Sequence, residues 1–500
     1  MRVGELFIGS EYPIRLQTMA NTSTNDIEGS VAQALRCAEA GAELVRFTTQ
    51  GLREVEALGK IRDNLKICKS RPVGTSSENL KIAAESDLKI CKSRQVGTNS
   101  ENLKMAAENN LQISTFSNFQ IPLVADVHFQ ADVADAAAQV VEKVRINPGN
   151  YIDPARKFKH IDYTDEEYQA ELERLDARFC RLLAICKAHG TALRLGVNHG
   201  SLSDRIMSRY GDTPAGMVES VMEFLRVAVR EAFMDIVISV KASNTRVMVD
   251  TMRLLVKEMD REGMTFPLHL GVTEAGEGED GRIKSAVGIG ALLGDGIGDT
   301  IRVSLSEAPE REIPVARALR DYFADPQSIR YQEDKVRLRV DGKTAVYASS
   351  QADWGLMQLQ AAAECGRVLW DEGCTELVLE NPHFTAAQLE QLAKDILQAA
   401  RIRMYKTEYI SCPGCGRTLF DLEKTIAEVK AATAHLKGLK IGIMGCIVNG
   451  PGEMADADYG YVGAGRERIS LYRGKECVMK NIPQEEAVER LLGLIEGDKG

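Results

Sequence analysis

The 500-residue sequence predicts an α/β protein with a (β/α)8 TIM barrel, a small α/β middle insert and a C-terminal α/β domain. Three observations lead to this prediction. Short apolar runs alternate with helical stretches eight times between Pro13 and Ser304. These runs end in polar and often cationic residues, as expected of the catalytic face of a barrel. A cysteine motif with tight Pro-Gly turns then lies near the C-terminus.

Eight apolar runs form the predicted strands of the barrel. They cover residues 13–19, 43–48, 122–128, 143–147, 192–197, 235–241, 267–272 and 298–304. Apolar residues at helical spacing between the runs, as at 27–40, indicate crossover helices and therefore a parallel sheet. Eight such units in roughly 300 residues match a closed barrel, and an open doubly wound sheet is the alternative.

The predicted strand ends carry the polar residues that are best suited to bind a ligand or to take part in catalysis. These residues are Gln17, Asn21, Arg46, Asp126, Arg145, Asn147, Arg194, Asn198, Lys241, Ser243, Glu274, Arg302 and Ser304. A buried arginine needs an anionic partner, and for any single arginine that partner is equally well a nearby carboxylate or a bound ligand. Only Asp126 and Glu274 among them are acidic. The excess positive charge therefore predicts a ligand with two or more negative charges, most simply a diphosphate, which arginine binds bidentately.

One region interrupts the barrel pattern. Residues 65–85 and 88–108 are near copies, identical at 18 of 21 positions. They fall between the second helix and the third strand, on the N-terminal face of the predicted barrel and away from its mouth. We interpret residues 65–108 as a functionally neutral tandem duplication, with a partner or regulatory site as the alternative. Duplication alone explains the cysteine pair Cys68 and Cys91.

Composition shifts after Ser304, and we predict three domains, at 1–310, 311–400 and 401–500. The residue pattern of the middle segment predicts a helix at 313–324, a hairpin at 336–348, a helix at 354–370, a strand at 376–380 and a helix at 385–400. It has no catalytic constellation and is interpreted as a spacer or interaction module. The last domain predicts a helix at 421–435 and strands at 440–444 and 459–472.

The cysteine motif consists of Cys412 and Cys415 on a Pro-Gly turn, then Cys446, then Glu453 past a second Pro-Gly turn. Three cysteines are one short of the four ligands that structural zinc or a simple electron-transfer cluster takes. The fourth ligand is then Glu453, Cys477, a small molecule or none. A weak fourth ligand suits a centre that binds substrate. We therefore expect an iron–sulfur cluster, with structural zinc or no metal as alternatives.

Charge and composition exclude other classes of protein. A net charge of −10 argues against a general nucleic-acid binder. Eleven cysteines at irregular spacing indicate reduced thiols in a cytoplasmic protein rather than a disulfide framework. The N-terminus has no apolar run long enough for a signal peptide, and no stretch of about 18 apolar residues occurs, so neither a signal peptide nor membrane association is expected.

Several stretches together resemble one family. They are residues 15–22, 122–129, 144–150, 194–201 and 268–276, together with the cysteine motif. The sequence is similar to the 4-hydroxy-3-methylbut-2-enyl diphosphate synthases of the methylerythritol phosphate pathway. That resemblance covers residues 11–62, 121–310 and 401–475. It implies a (β/α)8 barrel joined to a C-terminal 4Fe-4S domain.

The resemblance also implies roles for particular residues. The cluster ligands would be Cys412, Cys415, Cys446 and Glu453. The diphosphate-binding residues would be Arg46, Arg145, Asn147, Arg194, Asn198, Lys241 and Ser304. Asp126 and Glu274 would face the substrate carbons, with Glu274 as the first candidate proton donor. The substrate would be 2-C-methyl-D-erythritol 2,4-cyclodiphosphate, which undergoes a two-electron reductive ring opening with loss of water.

The family implies flavodoxin or ferredoxin as electron donor, and a cluster domain that closes over a barrel mouth. That mouth belongs either to the same chain or to the second chain of a homodimer. The duplication and the shortened middle insert depart from the family pattern. A redox sensor or electron carrier, and a barrel binding protein with structural zinc, are the competing functions.

Overall fold

The computed structural model describes residues 1–70, 121–152, 163–332, 334–418, 420–447, 450–454 and 456–498. Most of the duplicated stretch lies outside these ranges, so its interpretation stays a prediction. In the described part of the chain, no helix is both long and apolar enough to cross a bilayer.

A short N-terminal hairpin precedes the barrel. Its strands are β1 (Arg2–Val3) and β2 (Leu6–Phe7). Val3, Leu6 and Ile8 pack against Leu44 and Val124 at the start of two barrel strands. The hairpin therefore covers the N-terminal end of the barrel. Two-residue strands are too short to show an apolar alternation, which explains why the sequence did not predict them.

Eight parallel strands form the barrel. They are β3 (Arg15–Met19), β4 (Leu44–Thr49), β5 (Leu123–Val127), β6 (Lys143–Ile146), β7 (Ala192–Asn198), β8 (Ile236–Lys241), β9 (His269–Leu270) and β10 (Thr300–Ile301). They pair in the order β8-β7-β6-β5-β4-β3-β10-β9. A parallel bridge between Ile238 and Leu268 joins the two ends of that sheet. The sheet therefore closes, which confirms the predicted barrel and excludes the open doubly wound alternative.

Helices surround the barrel strands. They are α1 (Ile27–Ala40), α2 (Leu52–Ser70), α3 (Ala131–Ala138), α4 (Asp165–His189), α5 (Asp204–Tyr210), α6 (Pro214–Arg230), α7 (Thr245–Arg261), α8 (Gly278–Gly294) and α9 (Glu312–Ala324). Side-chain caps fix several of their starts. Thr164, for example, forms a full capping box with Glu167 at the start of α4. The apolar faces of these helices and the strands form one continuous core.

The middle segment contains a three-stranded sheet, β11 (Val336–Asp341), β12 (Thr344–Ser349) and β13 (Glu376–Glu380), with α10 (Trp354–Asp371) and α11 (Ala386–Ala399). The predicted hairpin, strand and helices are confirmed to within a few residues. Helix α10 packs on barrel helix α8 through small residues. A Cβ on Gly290 would lie 2.4 Å from the Ala363 Cβ, and one on Gly366 would lie 2.9 Å from Val287 Cγ1. The segment is thus attached closely to the barrel wall.

The C-terminal part is a five-stranded mixed sheet in the order β14 (Glu408–Ser411), β15 (Lys440–Met444), β16 (Tyr459–Gly465), β17 (Arg468–Arg473) and β18 (Glu476–Pro483). Helices α12 (Leu422–Thr433) and α14 (Gln484–Gly497) pack on it, and α13 (Gly450–Glu453) is a single turn. The predicted strand conformation at 459–472 is confirmed, and the structure divides this stretch into a hairpin of β16 and β17. Its turn places Glu467 at a φ of +54°, which the sequence did not signal because glutamate rarely adopts that conformation.

We predict that Gly290→Ala lowers the free energy of unfolding by about 1–3 kcal/mol, because the added methyl overlaps the α10 backbone. The matched control is Gly294→Ala in the same helix, where a Cβ meets nothing closer than 3.6 Å. Helix propensity alone makes that control neutral or stabilising by up to about 1 kcal/mol. Urea unfolding of both variants measures the difference. Equal stability of the two variants would contradict the close α8–α10 packing.

Candidate active site

A cavity lies between the carboxyl ends of the barrel strands and the cysteine-bearing loop after β14. The barrel supplies Met19, Arg46, Asp126, His128, Arg145, Arg194, Asn198, Lys241, Thr273, Glu274, Arg302 and Ser304. The C-terminal part supplies Cys412, Pro413, Gly414, Cys415, Arg417 and Glu453. Strand geometry explains the convergence, since side chains two residues apart on a barrel strand point to the same interior.

Two predicted site residues do not line this cavity. Asn147 donates from its Nδ2 to Ser201 Oγ at 3.0 Å and accepts the Gly149 N–H, so its amide holds the turn after β6. Cys446 follows β15 and is half-buried. Gln17, Asn21 and Ser243 of the predicted strand-end set also lie outside it, while the remaining residues of that set and Cys412, Cys415 and Glu453 line the cavity wall.

Asp126 neutralises part of the barrel charge. Its carboxylate lies 3.1 Å from Arg145 Nη1 and 3.9 Å from Arg46 Nε. Burial alone would raise the pKa of Asp126, but these two guanidiniums hold it well below its ordinary value. Burial and Arg145 lower the pKa of His128, 3.5 Å from the same carboxylate, to about 4. At neutral pH the group is therefore an ionised Asp126, two arginines and an uncharged imidazole.

Arg194 and Lys241 have no such partner. Arg194 Nε donates to Ser239 Oγ at 2.9 Å, while its buried Nη1 contacts no acceptor among the described residues. Among the described residues no ion pair within 4 Å involves Lys241, and the Glu274 carboxyl in the same cavity wall acts on it only from a longer distance. Burial, followed by neighbouring arginines, lowers the pKa of both groups well below the ordinary values. Arg194 and Lys241 therefore place positive charge in the cavity wall that no carboxylate of the described residues pairs with directly.

Glycine provides the space for two of the cations. A Cβ on Gly196 would lie 2.4 Å from Arg145 Nε, and one on Gly271 would lie 2.7 Å from Lys241 Nζ. Arg145 also donates from Nη2 to the Gly196 carbonyl at 2.6 Å. The backbone of one strand therefore sets the position of a side chain from the next.

Carboxylates from both parts of the chain meet in the cavity. Asn198 of the barrel donates from Nδ2 to Glu453 Oε1 at 2.9 Å. Burial, followed by Glu453, raises the pKa of Glu274 well above its ordinary value. Glu274 also has a left-handed backbone, at a φ of +48°, which is rare outside glycine. Such strain is held by its surroundings and is typical of functional sites.

The cysteine loops present a donor set of three thiols and one carboxyl group. The Gly445 N–H donates to Cys412 Sγ at 3.2 Å, which links the loop after β14 to the end of β15. Burial raises the pKa of the Cys412 thiol, and the Cys415 and Cys446 sulfurs add to that effect. The described side chains contain no group of three ligands already arranged around a metal. The chemistry of the donor set nevertheless fits a thiolate-ligated iron cluster better than a hard cation.

Sequence reasoning missed two ionisable residues of the cavity wall, His128 and Arg417. His128 follows Asp126 by two residues, so the strand period could have identified it. Arg417 follows Cys415 by two residues on the same loop. Arg417 lies in the same cavity wall as the barrel arginines, although like charges repel, so charge alone would not predict this position. It follows only from the way the C-terminal part docks on the barrel.

The C-terminal part docks on the barrel of its own chain. Ala275 forms a parallel bridge with Ser411, and Ser306 Oγ lies 2.8 Å from Ser411 Oγ. A buried ion pair joins Lys284 Nζ to Glu408 at 2.8 Å. A Cβ on Gly452 would lie 2.8 Å from the carbonyl oxygen of Gly200, so the two backbones approach closely.

These features define a class of protein, a barrel whose cationic mouth faces a cysteine-bearing domain. The model of the GcpE TIM-barrel domain matches residues 1–86 and 98–317, and that of the GcpE protein C-terminal domain matches residues 408–497. The chain belongs to the GcpE family. The gap at 87–97 falls within the duplicated stretch, and neither model matches residues 318–407.

Curated relatives support the same assignment. Proteins from Parabacteroides distasonis, Bacteroides thetaiotaomicron and Porphyromonas gingivalis are 45%, 44% and 40% identical to this chain. The alignments cover 99%, 100% and 99% of this chain and 96%, 97% and 96% of the relatives. Each relative is named 4-hydroxy-3-methylbut-2-en-1-yl diphosphate synthase (flavodoxin), which confirms the resemblance. The first alignment spans 638 positions, so that relative contains segments which this 500-residue chain lacks.

We predict that Lys284→Met lowers the free energy of unfolding by about 1–3 kcal/mol at pH 7, because the buried Glu408 carboxylate then keeps only Arg401 as a cationic partner. The control is Lys394→Met, which breaks an exposed pair with Glu390 and costs about 0–1 kcal/mol. Urea unfolding measures both.

The deficit of Lys284→Met shrinks as the pH falls. Burial would raise the pKa of Glu408, but Lys284 and then Arg401 lower it in the native protein. The pair therefore stabilises the native protein above the ordinary glutamate pKa, and this contribution is lost as the pH falls through the lowered value. A deficit that is independent of pH would show that the Glu408 charge is not responsible.

Proposed function

We propose that this chain is a 4Fe-4S oxidoreductase of isoprenoid precursor biosynthesis. It converts 2-C-methyl-D-erythritol 2,4-cyclodiphosphate to 4-hydroxy-3-methylbut-2-enyl diphosphate by reductive dehydration and ring opening. The observation that carries this proposal is the cavity itself, in which buried, unneutralised cations face a loop with two cysteines. The names of the relatives supply the product and the electron donor.

The barrel cations bind the diphosphate. Arg194 and Lys241 have no carboxylate partner, so a dianionic ligand compensates for the cost of their burial. Arg46 and Arg145 are held in place by Asp126 and present their remaining N–H groups. Ser304 and Asn198 add neutral donors from the ends of β10 and β7. Positive charge placed in advance around the leaving phosphate oxygen favours cleavage of the ring C–O bond.

Asn147 is a positioning residue in this proposal rather than a direct ligand. Its amide ties Ser201 to the turn after β6, which borders the Asn198 loop. Asn147 therefore acts on the diphosphate through Ser201 and the Asn198 loop, not by contacting it.

The acidic residues face the carbon skeleton. Glu274 lies at the mouth with Oε2 unpartnered among the described residues, so it is the candidate donor of the proton that leaves with the hydroxyl as water. Asp126 is fixed by three neighbours, and it stays ionised and orients the arginines. Both side chains are buried, so water competes little with these contacts.

Cys412, Cys415, Cys446 and Glu453 would hold the 4Fe-4S cluster. When bound, the cluster supplies the two electrons one at a time. The Asn198 amide donates a hydrogen bond to the Glu453 carboxylate, so a barrel residue holds the proposed fourth ligand in place. The relatives' names support flavodoxin as the electron donor, with ferredoxin as the alternative. A cytoplasmic location, consistent with the free cysteines of the described residues, completes the proposal.

The test uses anaerobically purified full-length protein. We expect it to be brown, to contain about four irons per chain, and to turn over the cyclodiphosphate with a chemical reductant. Arg194→Gln should weaken substrate affinity by about 10–100-fold, since hydrogen bonds to a charged group are lost. Cys446→Ala should abolish turnover while calorimetric affinity for the cyclodiphosphate stays within about threefold.

The control variant is Arg230→Gln, which removes an exposed arginine paired with Asp176 on the outside of the barrel. It should leave both affinity and turnover unchanged. Colourless protein with one tightly bound zinc would contradict the proposal. Brown protein whose electron transfer is insensitive to Arg194→Gln would instead indicate an electron carrier.

A further inference from the structure

Glu312, the first residue of α9, is buried beneath the cavity without lining it. Its carboxylate accepts four hydrogen bonds. Oε2 accepts from Arg302 Nε at 3.2 Å and from Thr18 Oγ1 at 2.9 Å. Oε1 accepts from Arg302 Nη2 at 3.1 Å and from the Leu305 N–H at 3.1 Å. Every lone-pair direction of the carboxylate is thereby used.

This pairing holds one edge of the Arg302 guanidinium. The bidentate contact occupies Nε and Nη2, and it fixes the guanidinium plane. The opposite nitrogen, Nη1, lies 3.7 Å from the Met19 sulfur, and Arg302 itself lines the cavity. The arginine therefore presents a defined face to a ligand there.

The same carboxylate also holds the backbone beside a second cavity residue. Its bond from the Leu305 N–H fixes the peptide that follows Ser304, at the end of β10. Thr18 ties the carboxylate to β3, the neighbouring barrel strand. One buried side chain thus sets the position of Arg302 and Ser304 relative to two barrel strands.

We propose that Glu312 is a positioning residue for the diphosphate of the substrate, acting through Arg302 and Ser304. This inference rests on the proposed function. It assigns a role in the site to α9, the barrel helix that follows the last barrel strand, at the start of the segment that the sequence predicted to be a spacer. Without Glu312 the guanidinium rotates away from the orientation in which it meets the ligand.

Charge and orientation predict opposite effects on affinity. Glu312 carries a negative charge near an anion site, so its removal would by electrostatics alone tighten diphosphate binding. Loss of orientation weakens binding, because a misdirected guanidinium no longer meets its acceptor. The sign of the change in affinity therefore shows whether Glu312 positions Arg302 or only balances its charge.

The test measures calorimetric affinity for the cyclodiphosphate and the KM and kcat of turnover in Glu312→Gln. The substituted amide places a donor against Arg302, and we expect affinity to fall about tenfold, with KM rising and kcat changing less. In an Arg302→Gln background the same change should alter affinity less than about twofold, because both substitutions remove one interaction. Unchanged or tighter binding, or additive losses in the double variant, would overturn the proposal.

Two further variants keep the test decisive. Thr18→Val removes one bond to Glu312 without changing charge, and it should weaken affinity by about twofold to fivefold even if Glu312→Gln fails to fold. Glu223→Gln disrupts another buried pair, with Arg205, outside the cavity wall. It should lower the thermal midpoint and leave affinity unchanged. If wild-type protein does not bind the cyclodiphosphate, the proposed function fails before the role of Glu312 is tested.

Discussion

Buried positive charge at the mouth of the barrel is the constraint on which the rest of the site depends. Removing an arginine or lysine from water costs several kcal/mol unless an anion accompanies it. Asp126 and Glu312 each compensate part of that cost by binding neighbouring arginines. Arg194 and Lys241 have no carboxylate paired with them among the described residues, so their burial carries an electrostatic cost. In the proposed function a diphosphate offsets this cost, so the cations that the fold leaves without a carboxylate determine which ligand is selected.

The same constraint explains how the two ends of the chain are arranged. A cationic barrel mouth needs a cover that excludes water without neutralising it. The loop after β14 provides that cover with Pro-Gly backbone, thiols and Arg417 rather than a layer of carboxylates. Its docking relies on close backbone contacts, such as Gly452 against Gly200, and on the Ala275–Ser411 bridge. The buried Lys284–Glu408 pair lies in the same seam.

Sequence periodicity sufficed for the barrel because each strand is short, apolar and followed by a helix. The strand-end cations were also identified in advance, since an arginine in an apolar run is conspicuous. Other features depend on distant parts of the chain. The Glu312–Arg302 pair and the Asn198–Glu453 contact could not be predicted, because spacing along the chain does not encode which carboxylate reaches which donor. The turn at Glu467 was missed because its conformation is unusual for its residue type.

The central claim is that one chain supplies both the cationic barrel mouth and the cysteine loop that closes it. Coexpression of Arg194→Gln with Cys446→Ala tests this most directly, since mixed assemblies combine one intact barrel with one intact cysteine motif. Closure within a chain predicts that the coexpressed pair turns over the cyclodiphosphate no faster than either variant alone. Recovery of substantial turnover in mixed dimers, verified by native mass spectrometry, would show that the two halves of the site come from different chains.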